Sequence, residues 1–176
     1  MATREEIATL LRNGVAARRQ GQLAEALPLM NQALALCGPD QDLERALILR
    51  ELGELARNSN DLPAAQRHYE EGVALLRKSN ADPLKLAHTL RHLGDVHAEQ
   101  RHSNEADHYF SQALAIYRQH PTPGRLDLAN AIRAHAALKT ATGQHEAARP
   151  MWAEAGALYE AEGIAAGEKE CRRHSL

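Results

Sequence analysis

The residues whose types and spacing could do chemistry fall into two sets, one of histidines and one of arginines. His88, His92 and Asp95 stand at i, i+4 and i+7, which puts all three on one face of a helix. Two imidazoles and a carboxylate so placed could hold zinc or another divalent ion. No glutamate follows the first histidine in the metalloprotease order, and no other motif supplies a water-activating base. Ordinary groove-lining histidines account for the same spacing, so no metal or cofactor is expected, with His88, His92 and Asp95 as the only candidates for one. Five of the ten histidines, His88, His92, His97, His102 and His108, crowd into one stretch. His97 is expected to pack between helices.

The second set is Arg50, Arg91 and Arg133, which recur at steps of 41 and 42 residues. On consecutive helical units they would form a ladder with rungs about 10 Å apart, a typical helix packing distance. A guanidinium grips a carboxylate with two parallel hydrogen bonds. An extended ligand, at about 3.3 Å per residue, would match the rungs every third residue or so. A helical ligand, at about 1.5 Å per residue, would match them roughly every seventh. Local pairing competes, because Glu54 follows Arg50 and Asp95 follows Arg91 four residues on, each pair worth a few tenths of a kcal/mol. Arg133 has Ala137 at that place and no such acid.

Other chemistry finds no support. Glycines fall at helix contacts and turns instead of in a phosphate-cradling loop, and no serine or cysteine nucleophile has a placed base. A pI of about 6.5, with one Trp, four Tyr and one Phe for base stacking, argues against nucleic acid. No run of about 18 apolar residues could span a membrane, and the N-terminus has no basic stretch and apolar core of the kind a secretion signal needs. A cytoplasmic, non-enzymatic protein is expected. Cys37 and Cys171 make neither a disulfide framework nor a metal quartet.

The elements that position these residues follow from composition and from a repeat. The chain has 176 residues, 44% apolar and 25% charged, rich in Ala, Leu, Glu, Arg and Gln, which are helix formers. Four times the same small and large residues return: Leu10, Gly14, Gly21, Ala26, Met30 and Ala33; Leu49, Gly53, Asn60, Ala65, Tyr69 and Gly72; Leu90, Gly94, Arg101, Ala106, Phe110 and Ala113; Ile132, Ala136, Gly143, Ala148, Trp152 and Ala155. The steps of 39, 41 and 42 residues are long enough for two helices each. Thr3 and Glu6 form a capping box that starts a helix near residue 4. Gly21, Asn60-Asp61 and Ser103-Asn104 mark turns within repeats, while Pro39-Asp40, Asp82-Pro83 and Pro121 to Gly124 separate repeats. Pro28 and Pro150 share one repeat position near the start of a second helix, where at most one backbone bond is lost. The predicted repeats span about 4–37, 41–79, 83–119 and 125–162, with a C-terminal cap at 163–176, all in one domain.

These anchors resemble the tetratricopeptide repeat (TPR) family, which uses a small residue at position 8, Ala at 20, an aromatic at 24 and Ala at 27. Periods near 40 residues are similar to its longer, kinesin-light-chain-like branch. The resemblance covers residues 4 to 162 and implies an all-α, right-handed superhelical solenoid of four antiparallel helix hairpins with a short capping helix. It also implies a protein-binding scaffold whose first helices line a concave groove, at positions 2, 5, 6, 9 and 12. Those positions are Ala8, Leu11, Arg12, Val15 and Arg18; Leu47, Arg50, Glu51, Glu54 and Arg57; His88, Arg91, His92, Asp95 and Ala98; Asn130, Arg133, Ala134, Ala137 and Thr140. Six arginines face three acids there, a balance of +3 on a chain of −2. Such a surface attracts acidic partners, and Ala8, Leu11, Val15 and Leu47 offer an apolar anchor site. The expected ligand is a protein or peptide segment with acidic and apolar residues. The family's clamp for a C-terminal carboxylate is absent, since Leu11, Val15, Glu54, His88 and His92 replace its Lys, Asn and Arg.

Met30 stands where the family has an aromatic, Gly72 where it has Ala, and His135 and Lys139 where it has Leu and Tyr, so the last hairpin is expected to be the loosest. The cap offers Ile164 as its one bulky apolar residue before Leu176, which makes it a poor lid. A homodimer through the C-terminal end is the competing account of function.

Overall fold

The computed structural model describes residues 3–175. Among them are helices and turns and no strand. The chain divides into two compact units, residues 1–82 and 83–176. The first holds α1 (Arg4–Arg19), α2 (Leu23–Leu36), α3 (Asp42–Asn58) and α4 (Leu62–Lys78). The second holds α5 (Pro83–Glu99), α6 (Ser103–Gln119), α7 (Arg125–Ala141), α8 (His145–Ala161) and α9 (Ala165–Ser175). Within each unit consecutive helices pack as two antiparallel hairpins, and α9 lies against α8.

Each hairpin closes where a small residue of its first helix meets a large one of its second. A Cβ placed on Gly53 would lie 2.6 Å from Tyr69 Cε1, and one on Gly94 would lie 2.7 Å from the Phe110 ring. At Gly14 the partner is the thinner Met30, 2.9 Å away. In the last hairpin Ala136 and Trp152 are both buried. Tyr69, Phe110 and Trp152 are each no more than 2% exposed, and a side chain of that size contributes about 2–3 kcal/mol by leaving water. At Gly53 and Gly94 the helices therefore touch backbone to ring, which no larger residue there permits.

The turns within hairpins share one backbone device. Gln22, Asp61, His102 and Gln144 each donate an amide hydrogen bond to the carbonyl five residues back, at Ala17, Ala56, His97 and Lys139, over 2.8–2.9 Å. This Schellman-type closure needs a residue in the left-handed region. Gly21, Asn60, Arg101 and Gly143 supply it, with φ of 77°, 59°, 62° and 76°. The third turn thus sits at Arg101 and His102, and Ser103 already opens α6, which corrects the expected turn at Ser103-Asn104. The α8–α9 connection repeats the device at Gly163, with Ile164 bonded to Tyr159.

The cap differs from the sequence expectation. Ile164 is 39% exposed, and Cys171 is the buried anchor of α9. Cys171 Cβ comes within 3.2 Å of where a Cβ would stand on Gly156, and Gly167 admits the Tyr159 ring at 2.7 Å. His174 stacks on Trp152 with ring centres 4.7 Å apart. Small residues bring α9 close to α8, so the cap packs without bulky side chains of its own. Leu176 lies outside the described residues.

Two substitutions test these contacts by urea unfolding. Helix propensity alone favours Gly53→Ala by about 1 kcal/mol, but the methyl group enters the Tyr69 ring, so a net loss of about 1 kcal/mol or more is expected. Arg101→Gly relieves a left-handed non-glycine residue and is expected to gain about 1 kcal/mol.

Candidate functional site

In the first unit α1 and α3 lie side by side. Arg4 Nε is 3.1 Å from Glu44 Oε1 at one end, and Arg18 Nη2 is 3.0 Å from Glu51 Oε2 towards the other. Both pairs advance along both helices, so α1 and α3 run in the same direction. Their common face holds two adjoining hollows. One, of about 300 Å³, is lined by Arg4, Glu5, Ile7, Ala8, Leu11, Glu44 and Leu47. The next, of about 390 Å³, is lined by Leu11, Arg12, Val15, Ala16, Arg19, Leu47, Arg50 and Glu51. Leu11 and Leu47 border both. They are half-buried, and Leu11 and Val15 rest on the core formed by Ile7, Ala17, Met30, Ile48 and Leu52.

The charges around this apolar floor are ordered. Glu51 is 7% exposed and lies between Arg18 and Arg50, whose Nη2 atoms each approach one of its carboxylate oxygens. Arg18 Nη1 also lies 3.7 Å from Glu54. Arg50 therefore pairs with the adjacent Glu51, while Glu54 faces α1. Arg12 reaches back to Glu5 and Thr9, at 3.0 and 2.8 Å. Arg19 is exposed and has no acidic partner among the described residues. The sequence reading omitted it, although it follows Arg12 and Val15 at i+7 and i+4 on one helical face.

In the second unit the groove candidates are held by neighbours. Arg91 Nη1 bonds Asp95 Oδ2 at 2.9 Å, and Arg91 Nη2 lies 2.6 Å from His92 Nε2. A guanidinium only donates, so His92 Nε2 accepts from Arg91, and His88 Nε2 lies 3.0 Å from the same nitrogen. His92 Nδ1 then bears hydrogen, 3.7 Å from Asp95 Oδ2. The His92 lone pair that a metal would need is taken by Arg91. Among the described residues no group of three or more His, Cys, Asp or Glu is arranged to hold a metal ion.

Arg133 has an acid that local spacing does not reveal. Its Nη1 is 3.3 Å from Glu170 Oε1 on α9, 37 residues downstream. Beside it the Tyr159 hydroxyl donates to Asn130 Oδ1 over 2.7 Å. The groove arginines Arg12, Arg18, Arg50, Arg91 and Arg133 thus each have an acidic partner in the chain. Two of those acids, Glu5 and Glu170, lie outside the set counted from sequence, so the positive surplus is smaller than that count implied.

His135 and Lys139, the departures from the family pattern, both reach Asp107 of α6. His135 Nε2 lies 2.7 Å from Asp107 Oδ1, and the same oxygen accepts from Lys139 Nζ. Burial pushes His135 below its ordinary 6.5 against the pull of Asp107. Burial alone would raise Asp107, but its bonds to Lys139 and His135 outweigh that and hold it below 3.8. His97 is 5% exposed and stacks on Tyr109 at 5.2 Å. No helix among the described residues is long and apolar enough to cross a membrane.

Antiparallel helix hairpins closed by a small residue against a large one define a helical-repeat protein of the protein-interaction scaffold class. The profile of the MalT-like TPR region matches residues 2–172, and the chain belongs to that family. No curated protein matches it in sequence. Among solved structures it is similar to the Cut9–Hcn1 hetero-tetramer of the APC/C, with a TM-score of 0.74 and 22% identity over 92% of this chain. The chain spans only 29% of that one. It is also similar to BtubC (BKLC) from P. vanneervenii, at 0.69 and 17% identity over 99% of this chain and 90% of that one. Kinesin light chain TPR-like repeats from Podosopora anserina give 0.73 and 16% identity over 99% and 95%.

Two histidines, the buried His135 and the half-buried His68, make stability depend on pH. His135 and His68 both have pKa values lowered from 6.5, in each case chiefly by burial. The unfolded chain therefore binds protons that the folded chain does not, and stability is lost as pH falls through 6.5 towards the folded values. Denaturant midpoints between pH 7.5 and 5 are expected to drop. His135→Leu should flatten that slope, leaving the share of His68.

Proposed function

We propose that this protein is a non-catalytic adaptor that binds a partner segment carrying acidic and apolar residues on the face formed by its first helices. The observation that carries the reading is the pair of hollows on α1 and α3, floored by Leu11, Val15 and Leu47 and rimmed by Arg12, Arg19 and Arg50. Apolar side chains of a partner lose water contact on that floor, and its carboxylates meet guanidinium groups at the rim. Half-buried leucines beside exposed arginines match the usual make-up of a binding patch. In the second unit His88, Arg91, His92, Asp95, Asn130 and Arg133 form a more polar face. Its arginines already hold acids of the chain, so partner carboxylates there share or displace Asp95 and Glu170. Arg57 and Glu54 extend the polar end of the first unit's face. Two free cysteines, Cys37 and Cys171, fit a reducing compartment such as the cytosol.

Capture from cell extract, with the bound segment of the partner mapped, tests this reading. The mapped segment is expected to carry acidic and apolar residues. Leu11→Ala with Leu47→Ala should cut capture at least tenfold while circular dichroism stays unchanged, and undiminished capture overturns the proposal. Replacing Arg50, Arg91 and Arg133 together by Ala is expected to give a smaller loss, because ion pairs within the chain occupy all three.

Self-association is the second reading, supported by Leu126 at 40% and Ile164 at 39% exposure. The Arg125–Glu162 pair, at 3.6 Å, joins the helix ends next to these two residues. Light scattering of the chain and of Ile164→Asp tests it.

A further inference from the structure

The trough on α1 and α3 has a direction. Ala8, Leu11 and Val15 follow one another at i, i+3 and i+7 along α1, so the apolar floor runs about 10 Å parallel to the helix axis. At the end nearest the α1 N-terminus the rim carries Arg4, Glu5 and Glu44, one cation against two acids. At the far end it carries Arg12, Arg19, Arg50 and Glu51, three cations against one acid. The trough is thus negative at one end and positive at the other, with Arg19 unengaged by any acid among the described residues.

The walls are helices whose amides bond within their own turns, so they offer no free backbone edge to an extended peptide. A peptide bound there in extended form leaves its own amides without backbone partners, whereas a helix satisfies them internally. Two parallel helices also present the furrow into which a third helix packs.

Building on the reading above, we infer that this trough takes an amphipathic helix of a partner protein. The helix lies antiparallel to α1, with acidic residues in its first turn and basic residues in its last. That charge order is the one that stabilises a helix by itself, since acids favour its N-terminus and bases its C-terminus. Its acids then meet Arg19 and, in exchange for Glu5 and Glu51, Arg12 and Arg50, while its bases meet Glu5 and Glu44 in exchange for Arg12 and Arg4. Two apolar residues seven positions apart rest in the two hollows.

Three synthetic peptides of equal length, the first two also of equal composition, test this against the full chain by fluorescence anisotropy. The first has leucines seven apart, with Glu in its first turn and Lys in its last. The second reverses the charge order, and the third is the first with a central proline. The first is expected to bind at least tenfold more tightly than either of the others. Arg19→Glu, a surface change, should narrow or invert the preference between the first two. Equal binding of both charge orders, or full binding of the proline peptide, overturns the helical, directed occupant and leaves the adaptor reading intact. Failure of all three peptides, together with capture that Leu11→Ala and Leu47→Ala do not reduce, overturns both. Self-association of the chain alone, abolished by Arg19→Glu, would assign the trough to a second copy and also overturn the inference.

Discussion

At Gly53 and Gly94 the backbone of one helix lies against the aromatic ring of the next, closer than any added carbon permits. The rest of the structure depends on that approach. It sets the depth to which the large residue of each second helix is buried, and so how much surface each hairpin removes from water. It also fixes the rotation of the first helix about its own axis. Once Gly14 or Gly53 faces inward, Leu11 and Val15, or Leu47 and Arg50, must emerge on the flank shared by α1 and α3. The candidate site is therefore a consequence of packing, with its side chains presented by helices that the core holds rigid.

The electrostatics of that site illustrate how a folded chain spends its own charges. Exposed ion pairs contribute about 0–1 kcal/mol each, so Arg12–Glu5 contributes little to stability. Its larger effect is on recognition, because an arginine already facing a carboxylate offers a partner only an exchange of one acid for another. Glu51 is different, being buried between Arg18 and Arg50. Removing either arginine would leave a carboxylate poorly compensated, which is costly in a dry setting. Arg50 thus serves the joint between α1 and α3 as much as any ligand.

The His135 and Lys139 substitutions in the last hairpin follow the same logic. Where the family places apolar and aromatic side chains, this chain sets a histidine and a lysine on one carboxylate, Asp107. A buried polar group is tolerated when it is bonded, so the exchange keeps α6 and α7 joined while making the joint sensitive to protons.

Much of this was legible in the sequence. The repeat of small and large residues, the proline and glycine breaks and the Thr3 cap specified the helices and the all-α repeat family, because these features act between residues close in the chain or at a fixed period. Leu11, Val15 and Leu47 were legible as an apolar patch for the same reason. Local rules could not assign the partner of Arg133, the shared oxygen of Asp107 or the anchoring of α9 by Cys171. Each is a contact between residues brought together only when helices pack. Spacing along one helix determined which face a side chain occupies, and the tertiary structure alone decided what stands opposite it.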